Sequence, residues 1–87
     1  MEVQELLRSR RDAPTFIAAY ELRQRSANAQ LLLADAKRDA DAEAARILYR
    51  WVENNLAWIR LNQDKYHRCQ KLVRFTEEQL LELNQST

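Results

Sequence analysis

The sequence of 87 residues contains no glycine and a single proline, Pro14. Glycine supplies the positive φ angles that tight turns and phosphate-binding loops need, and proline interrupts helices. From Thr15 onward the chain has neither residue, so it has little loop chemistry and its residues are available for helices. Because enzyme sites are mostly built on loops, this composition argues against a catalytic function.

Metal-ligating and disulfide-forming residues are also scarce. One cysteine, Cys69, cannot form an internal disulfide, which fits a reducing compartment. Together with the one histidine, His67, it cannot complete a four-ligand metal site without several carboxylates. We therefore expect no metal, no cofactor, no small-molecule substrate and no enzymatic activity.

Long apolar runs are absent as well. No stretch comes near the roughly 18 apolar residues of a membrane-spanning helix, and the polar segment after Met1 does not resemble a signal peptide. We expect an intracellular protein, in the cytoplasm or the nucleus, that makes no contact with a membrane.

What the chain does contain is typical of a small folded protein, with 46% hydrophobic and 31% charged residues and a net charge of +1. A chain of this length buries only about 60–65% of its unfolded surface. A core of that size is marginal without a disulfide, a metal or a partner. Association with a protein partner or a second copy is therefore the leading way to supplement the core.

Apolar residues recur at steps of three and four, which predicts an all-α fold: a three- to four-helix bundle, or a helical hairpin, with a long central helix. We expect one helical domain over residues 1–87, with helices at about 2–11, 14–37, 41–74 and 76–84. Pro14 should end the first helix, because it disfavours the α conformation at Ala13 and suits the first turn of a new helix. Asp12 would be the better N-cap there.

Two further helix boundaries have polar signals. Segment 38–42 offers a break with Asp39 or Asp41 as N-cap, although no glycine marks the turn and a continuous helix is the alternative. Thr76 to Gln79 has the capping-box pattern and predicts a short last helix. The polar ending at 84–87 suggests either an excised domain or a minimal subunit.

The central helix carries a heptad pattern that predicts how it packs. Lys65 interrupts a row of a and d positions that are otherwise apolar or asparagine: Ala44, Leu48, Trp51, Asn55, Trp58, Asn62, Cys69 and Leu72. A second apolar strip lies beside it: Val52, Leu56, Ile59, Tyr66 and Val73. A helix that is apolar over two strips contacts neighbours on several sides.

Trp51, Asn55, Trp58 and Asn62 share one face of this helix, and two interpretations compete. We favour core packing, in which the two asparagines fix register. An exposed aromatic surface for a partner is the alternative, because tryptophan is enriched in binding hot spots. A mixed arrangement would bury Trp51 and place Trp58 in an interface.

The preferred functional hypothesis is a non-enzymatic assembly module that buries apolar helix faces against partner subunits or a second copy. Leucines 31–33 would lie on the facing helix. The predicted partner interface consists of Trp51, Asn55, Trp58, Ile59, Asn62, Tyr66, Leu72 and Phe75.

A basic surface motivates the alternative function, a small self-associating regulatory protein with a helix face that contacts nucleic acid. Its candidate residues are Arg60, Arg68, Lys71 and Arg74. The simpler interpretation is a solvated face whose cations favour a helix C-terminus. Acidic residues at 77, 78 and 82 follow directly and weaken a positive field, so a protein partner is favoured over nucleic acid.

Three stretches resemble a known family. They are Glu5-Leu6-Leu7-Arg8 followed by Ala13-Pro14, then Leu56-Ala57-Trp58-Ile59-Arg60 with Tyr66 six residues later, then Leu72-Val73-Arg74-Phe75 leading into Thr76-Glu77-Glu78. Together they are similar to the helical (A) domain of GINS subunits of the Psf type. The motifs are short, the spacer after Ala13-Pro14 is shorter than in that family, and its small β-rich second domain is absent. The resemblance implies a replisome scaffold subunit that joins other subunits through its helices, and it implies no catalytic residue.

Overall fold

The computed structural model describes residues 3–85, and all the regular structure in that part of the chain is α-helical. Four helices follow one another: α1 at Val3–Lys37, α2 at Ala42–Leu61, α3 at Gln63–Leu72 and α4 at Glu77–Gln85. The all-α prediction is confirmed. The helix boundaries differ from those expected at two places.

The first difference is at Pro14, where α1 continues without a break from Val3 to Lys37. The predicted boundary at residues 12–14, and the N-cap role of Asp12, are therefore wrong. A proline inside a helix removes one backbone hydrogen bond and typically costs about 3 kcal/mol. Pro14 itself is exposed, while the adjacent Ala13 is completely buried, so packing of the neighbouring turns outweighs the local penalty.

The turn between α1 and α2 forms where the acidic segment 38–42 predicted it. Residues 38–40 form a turn, and Asp41 is the N-cap of α2. The Asp41 side chain accepts a hydrogen bond from the Ala44 backbone N–H, with 3.1 Å between Oδ1 and N. Of the two aspartates proposed as caps, Asp41 is thus the one that satisfies an unpaired helix N–H.

The second difference is at Asn62, which separates α2 from α3 where one helix over 41–74 was expected. The Asn62 backbone N–H donates to the carbonyls of both Trp58 and Ile59, and its side-chain Nδ2 also donates to the Trp58 carbonyl at 2.8 Å. Its ψ of 7° is outside the usual helical range. Asparagine side chains compete with the backbone in this way, which explains the one-residue interruption.

The last helix begins with the capping box that the sequence predicts. The Thr76 hydroxyl accepts from the Gln79 backbone N–H at 3.1 Å, and the Gln79 side chain accepts from the Thr76 backbone N–H at 2.9 Å. Two helix-terminal donors are satisfied reciprocally. Leu80, one residue further, is 3% exposed and anchors α4.

The helices form two compact units, and α1 contributes to both. Unit 1 combines Met1–Ala19 with Asp64–Thr87, and unit 2 is Tyr20–Gln63. The prediction of a single domain remains a prediction.

Unit 2 is an antiparallel hairpin of the second half of α1 and α2. Its cross-helix pairs run in opposite order along the two helices: Tyr20 with Trp58, Gln30 with Asn55, and Asp35 with Tyr49. The buried side chains of α1 in this hairpin are Tyr20, Ala27 and Ala34, spaced by seven residues. Those of α2 are Ala45, Leu48 and Val52.

Unit 1 joins the first half of α1 to α3 and α4. Ala13 of α1, Cys69 of α3 and Leu80 of α4 are its buried apolar residues. Arg10 Nε donates to the carbonyl of Phe75, and Arg11 pairs with Glu77 at 3.0 Å. These contacts hold the start of α4 against α1.

Candidate interaction surface on α2

The buried row of α2 is shifted from the predicted heptad. Ala45, Leu48 and Val52 are buried, and Asn55 and Ile59 continue the row as half-buried residues. Trp51 is exposed and is not part of this buried row. The expectation of core packing for Trp51 is therefore wrong.

The structure leaves Trp51 on the outside, where its side chain is 52% exposed, and it half-buries Trp58. This reverses the mixed arrangement, which buried Trp51. The predicted and observed rows share Leu48 and Asn55, and they differ by one residue at each of the other positions.

A second row with heptad spacing runs along this outer face of α2. It has residues at steps of four, three, four and three: Ile47, Trp51, Asn54, Trp58 and Leu61. We call this row the α2 stripe. Ile47 is 48% exposed and Leu61 is 85% exposed. A heptad row normally packs against another helix, but the outer part of this row faces solvent.

A polar cluster borders the α2 stripe on the side of α1. Asn55 Nδ2 donates to Gln30 Oε1 at 3.0 Å, and Arg23 Nη1 donates to Asn55 Oδ1 at 3.3 Å. Trp51 lies one turn before Asn55 on α2, and Leu33 lies one turn after Gln30 on α1. Because the helices are antiparallel, both are displaced from the Asn55–Gln30 bond toward the turn that joins the helices. Leu33 is 47% exposed, so α1 also presents an apolar side chain to solvent at this level of the hairpin.

Trp58 is held on the hairpin by two aromatic contacts. Its ring centroid lies 6.0 Å from that of Tyr20, and the Arg23 guanidinium lies 4.4 Å from the indole centroid. Cation–π and tilted ring pairs of this kind fix the orientation of an indole. Trp58 is therefore the member of the α2 stripe that contacts α1.

The other predicted interface residues are placed in different ways. Asn62 caps α2, as described above, and makes its described side-chain bond within its own helix. Tyr66 and Leu72 are half-buried in unit 1, and Phe75 is 37% exposed there. The expected register role thus belongs to Asn55, which bonds across the hairpin. The predicted leucines at 31–33 are all exposed.

Three members of the surface were missed from the sequence: Ile47, Asn54 and Leu61. Their spacing relative to the two tryptophans was visible in the sequence. The signal was lost because Leu48 and Asn55 complete an equally regular row one step away. Arg23 and Gln30, which contact Asn55, carry no pattern of their own in the sequence.

The four basic residues proposed for nucleic acid are all exposed. Arg60 lies on α2 in unit 2, whereas Arg68, Lys71 and Arg74 belong to unit 1. Within the described residues 3–85, none of the four forms an ion pair, since the pair there is Arg11 with Glu77.

Titratable chemistry is sparse in the described part of the chain. Tyr49 donates a hydrogen bond to Asp35, and this bond, together with desolvation and the Asp35 charge, raises the pKa of Tyr49 above 10.0. Among residues 3–85, no cluster of three or more His, Cys, Asp or Glu side chains is arranged to hold a metal ion. None of the helices described has the length and apolarity to cross a bilayer.

Comparison with protein-family models, curated proteins and solved structures found no match to this chain.

Proposed function

We propose that this protein is a non-enzymatic helical assembly module whose α2 stripe packs against a helix of another subunit. The observation that carries the proposal is the exposed heptad row on a helix that already buries another of its faces against α1. Trp51, at the centre of the row, is 52% exposed. A large exposed apolar surface marks an interaction site more often than a solvated surface, and tryptophan is the residue most enriched in hot spots.

A second copy of the chain fits the α2 stripe. In an antiparallel pairing of two α2 helices, Trp51 of each copy faces Asn54 of the other. Trp58 then faces Ile47, and Leu61 faces the half-buried Ala44. Each bulky side chain is thus opposed by a smaller one, as knobs-into-holes packing requires. The pairing has twofold symmetry, which is the commonest arrangement of homo-oligomers, and the net charge of +1 opposes it only weakly.

The resemblance to GINS subunits gives the proposal a cellular setting. It implies a scaffold subunit of the replisome, acting inside the cell in DNA replication, and it implies side-by-side association of different subunits. Two of the resembling stretches include Trp58 of the α2 stripe and Phe75 of unit 1. Cys69 is a free, buried thiol, which suits an intracellular protein.

Nucleic-acid binding is the second candidate function. It is favoured by the three exposed cations of unit 1, Arg68, Lys71 and Arg74, which have no carboxylate partner within the described residues. Binding of this kind depends on counterion release, so it weakens steeply between about 50 and 200 mM salt. Apolar association through the α2 stripe does not.

The experiment is molar mass by light scattering, at low and high protein concentration and at low and high salt. The proposal predicts a dimer that salt does not dissociate. Trp51→Glu should weaken it, because loss of one hot-spot tryptophan costs at least about 2 kcal/mol and the residue occurs in both copies. The expected change is roughly a thousandfold in Kd.

Leu32→Glu is the matched control, since Leu32 is 72% exposed and lies on α1 away from the polar cluster. It adds the same charge and should leave the dimer intact. A monomer at every concentration and salt would contradict self-association. Equal weakening by both variants would show that added charge, and not the α2 stripe, controls assembly.

A further inference from the structure

Unit 1 contains an apolar cleft that the proposed α2 interface does not use. The cleft has a volume of about 520 Å³ and lies between α1, α3 and the turn before α4. Leu6, Phe16, Leu72 and Phe75 line it, and the buried Cys69 belongs to its lining. This volume is in the range of about 300–1,000 Å³ that small-molecule sites occupy.

The polar side chains that line the cleft are mostly positively charged. Lys65, Arg68 and Lys71 line it, whereas Asp12 is the one carboxylate among its lining residues. All three cations are exposed, and within residues 3–85 none of them forms an ion pair. Lys65 Nζ lies 4.4 Å from the centroid of the Phe16 ring, so cation and apolar wall meet directly.

We infer that this cleft binds a single-chain amphipathic anion, with an alkyl chain among the apolar residues and a carboxylate or phosphate head at the three cations. The apolar lining alone would accept any hydrophobic molecule. The cations add a preference for negative charge, because charge-assisted hydrogen bonds from arginine and lysine suit these oxygen groups. An anion is also the ligand that offsets the unpaired positive charge.

The dimensions suit an alkyl chain of moderate length. The lining residues of α1 extend from Leu6 to Phe16, which is about 15 Å along a helix at 1.5 Å per residue. Each methylene that enters the cleft should improve affinity roughly fourfold until the cleft is full. Affinity should therefore rise steeply with chain length and then level off.

The test is a titration of the ¹⁵N-labelled protein with sodium dodecanoate below its micellar concentration, followed by amide chemical shifts. The binding site predicts saturable shifts confined to unit 1, around Leu6, Phe16 and Leu72. Hexanoate should bind much more weakly than dodecanoate, and dodecyltrimethylammonium should not bind there. Dodecyl phosphate, as a parallel arm, distinguishes a phosphate head from a carboxylate head.

The variant Arg68→Gln with Lys71→Gln removes two cations from the cleft. Both side chains are exposed, so the helical circular dichroism should be unchanged, while dodecanoate affinity should fall by about tenfold or more. The matched control is Arg46→Gln with Arg50→Gln, which removes two exposed arginines from α2. It should leave the affinity unchanged.

Cys69 provides an independent readout because it is the one cysteine in the sequence. Bound dodecanoate should slow its alkylation by an apolar maleimide, and hexanoate should not. The inference is overturned if the shifts spread over both units, if the cationic surfactant binds equally well, or if the two double variants behave alike. None of these outcomes depends on the α2 stripe, so the two proposals fail separately.

Discussion

Asn55 on α2 bonds at once to Gln30 and Arg23, two residues that lie seven apart on α1. Its Nδ2 donates to Gln30 Oε1 at 3.0 Å, and its Oδ1 accepts from Arg23 Nη1 at 3.3 Å. A slip of one helix along the other would break both bonds, so this half-buried amide selects the register of the hairpin. In this hairpin Trp51 is exposed, whereas Trp58 is half-buried against Tyr20 and Arg23 of α1.

Replacing Asn55 by alanine should destabilise the protein by about 1 kcal/mol, because two hydrogen bonds are lost and the Gln30 amide keeps no described partner. Asn28→Ala is the control, since Asn28 is exposed on α1 and has no described side-chain bond. Both variants replace a helical asparagine by alanine, so both gain the same helix propensity and the comparison cancels it. Urea unfolding measures the difference, and equal midpoints for the two variants would remove the register role of Asn55.

Pro14→Ala should stabilise the protein, by up to about 3 kcal/mol, because α1 runs through this position and regains a backbone hydrogen bond to the Arg10 carbonyl. Thr15→Ala, at the next exposed position, should change stability by less than about 1 kcal/mol. Thermal unfolding compares the two. A destabilised Pro14→Ala protein would mean that the chain needs proline at this point.

Much of this fold follows from the sequence, and its failures have physical causes. The caps at Asp41 and Thr76 were predictable, because a capping side chain satisfies helix N–H groups within three residues of itself. The continuity of α1 through Pro14 was not predictable, because it depends on the burial of Ala13 by residues distant in sequence. The break at Asn62 depends on a choice of hydrogen bond that spacing does not reveal.

The candidate site also depends on contacts between residues that are distant in the sequence. The two tryptophans belong to both of the heptad rows that the sequence offers one step apart, and their role in an interface stays a prediction. Which row is buried depends on which face of α2 packs against α1, whose buried residues include Ala27 and Ala34. A single helix pattern does not carry that information.

Thr76→Ala should weaken α4 by about 1 kcal/mol, since the capping box loses the acceptor for the Gln79 N–H. Thr76→Ser keeps the hydroxyl and should behave almost like the parent protein. Amide hydrogen exchange reads the effect locally, with faster exchange over α4 and unchanged exchange in unit 2. If Thr76→Ala and Thr76→Ser exchange alike, the hydroxyl does not stabilise the helix.

Tyr49 should titrate above its ordinary pKa of 10.0, mainly because its hydroxyl donates to the Asp35 carboxylate and this bond favours the neutral phenol. The stabilisation is complete below pH 10 and is lost as pH rises through the raised pKa, because the unfolded state gives up the proton first.

Phenolate absorbance during an alkaline titration measures this pKa, and Tyr49→Phe identifies its contribution to the curve. Asp35→Asn should lower the pKa of Tyr49 toward 10.0. A Tyr49 titration that Asp35→Asn leaves unchanged would show that the hydrogen bond is not formed in solution.

The most direct test of the central claim is acrylamide quenching of Trp51 fluorescence in a Trp58→Phe variant over a series of protein concentrations. The account predicts an indole that is readily quenched in dilute solution and becomes shielded as the protein associates, in step with the rise in molar mass. The same quenching at every concentration, while the molar mass rises, would contradict the account, because assembly would then use a surface other than the α2 stripe.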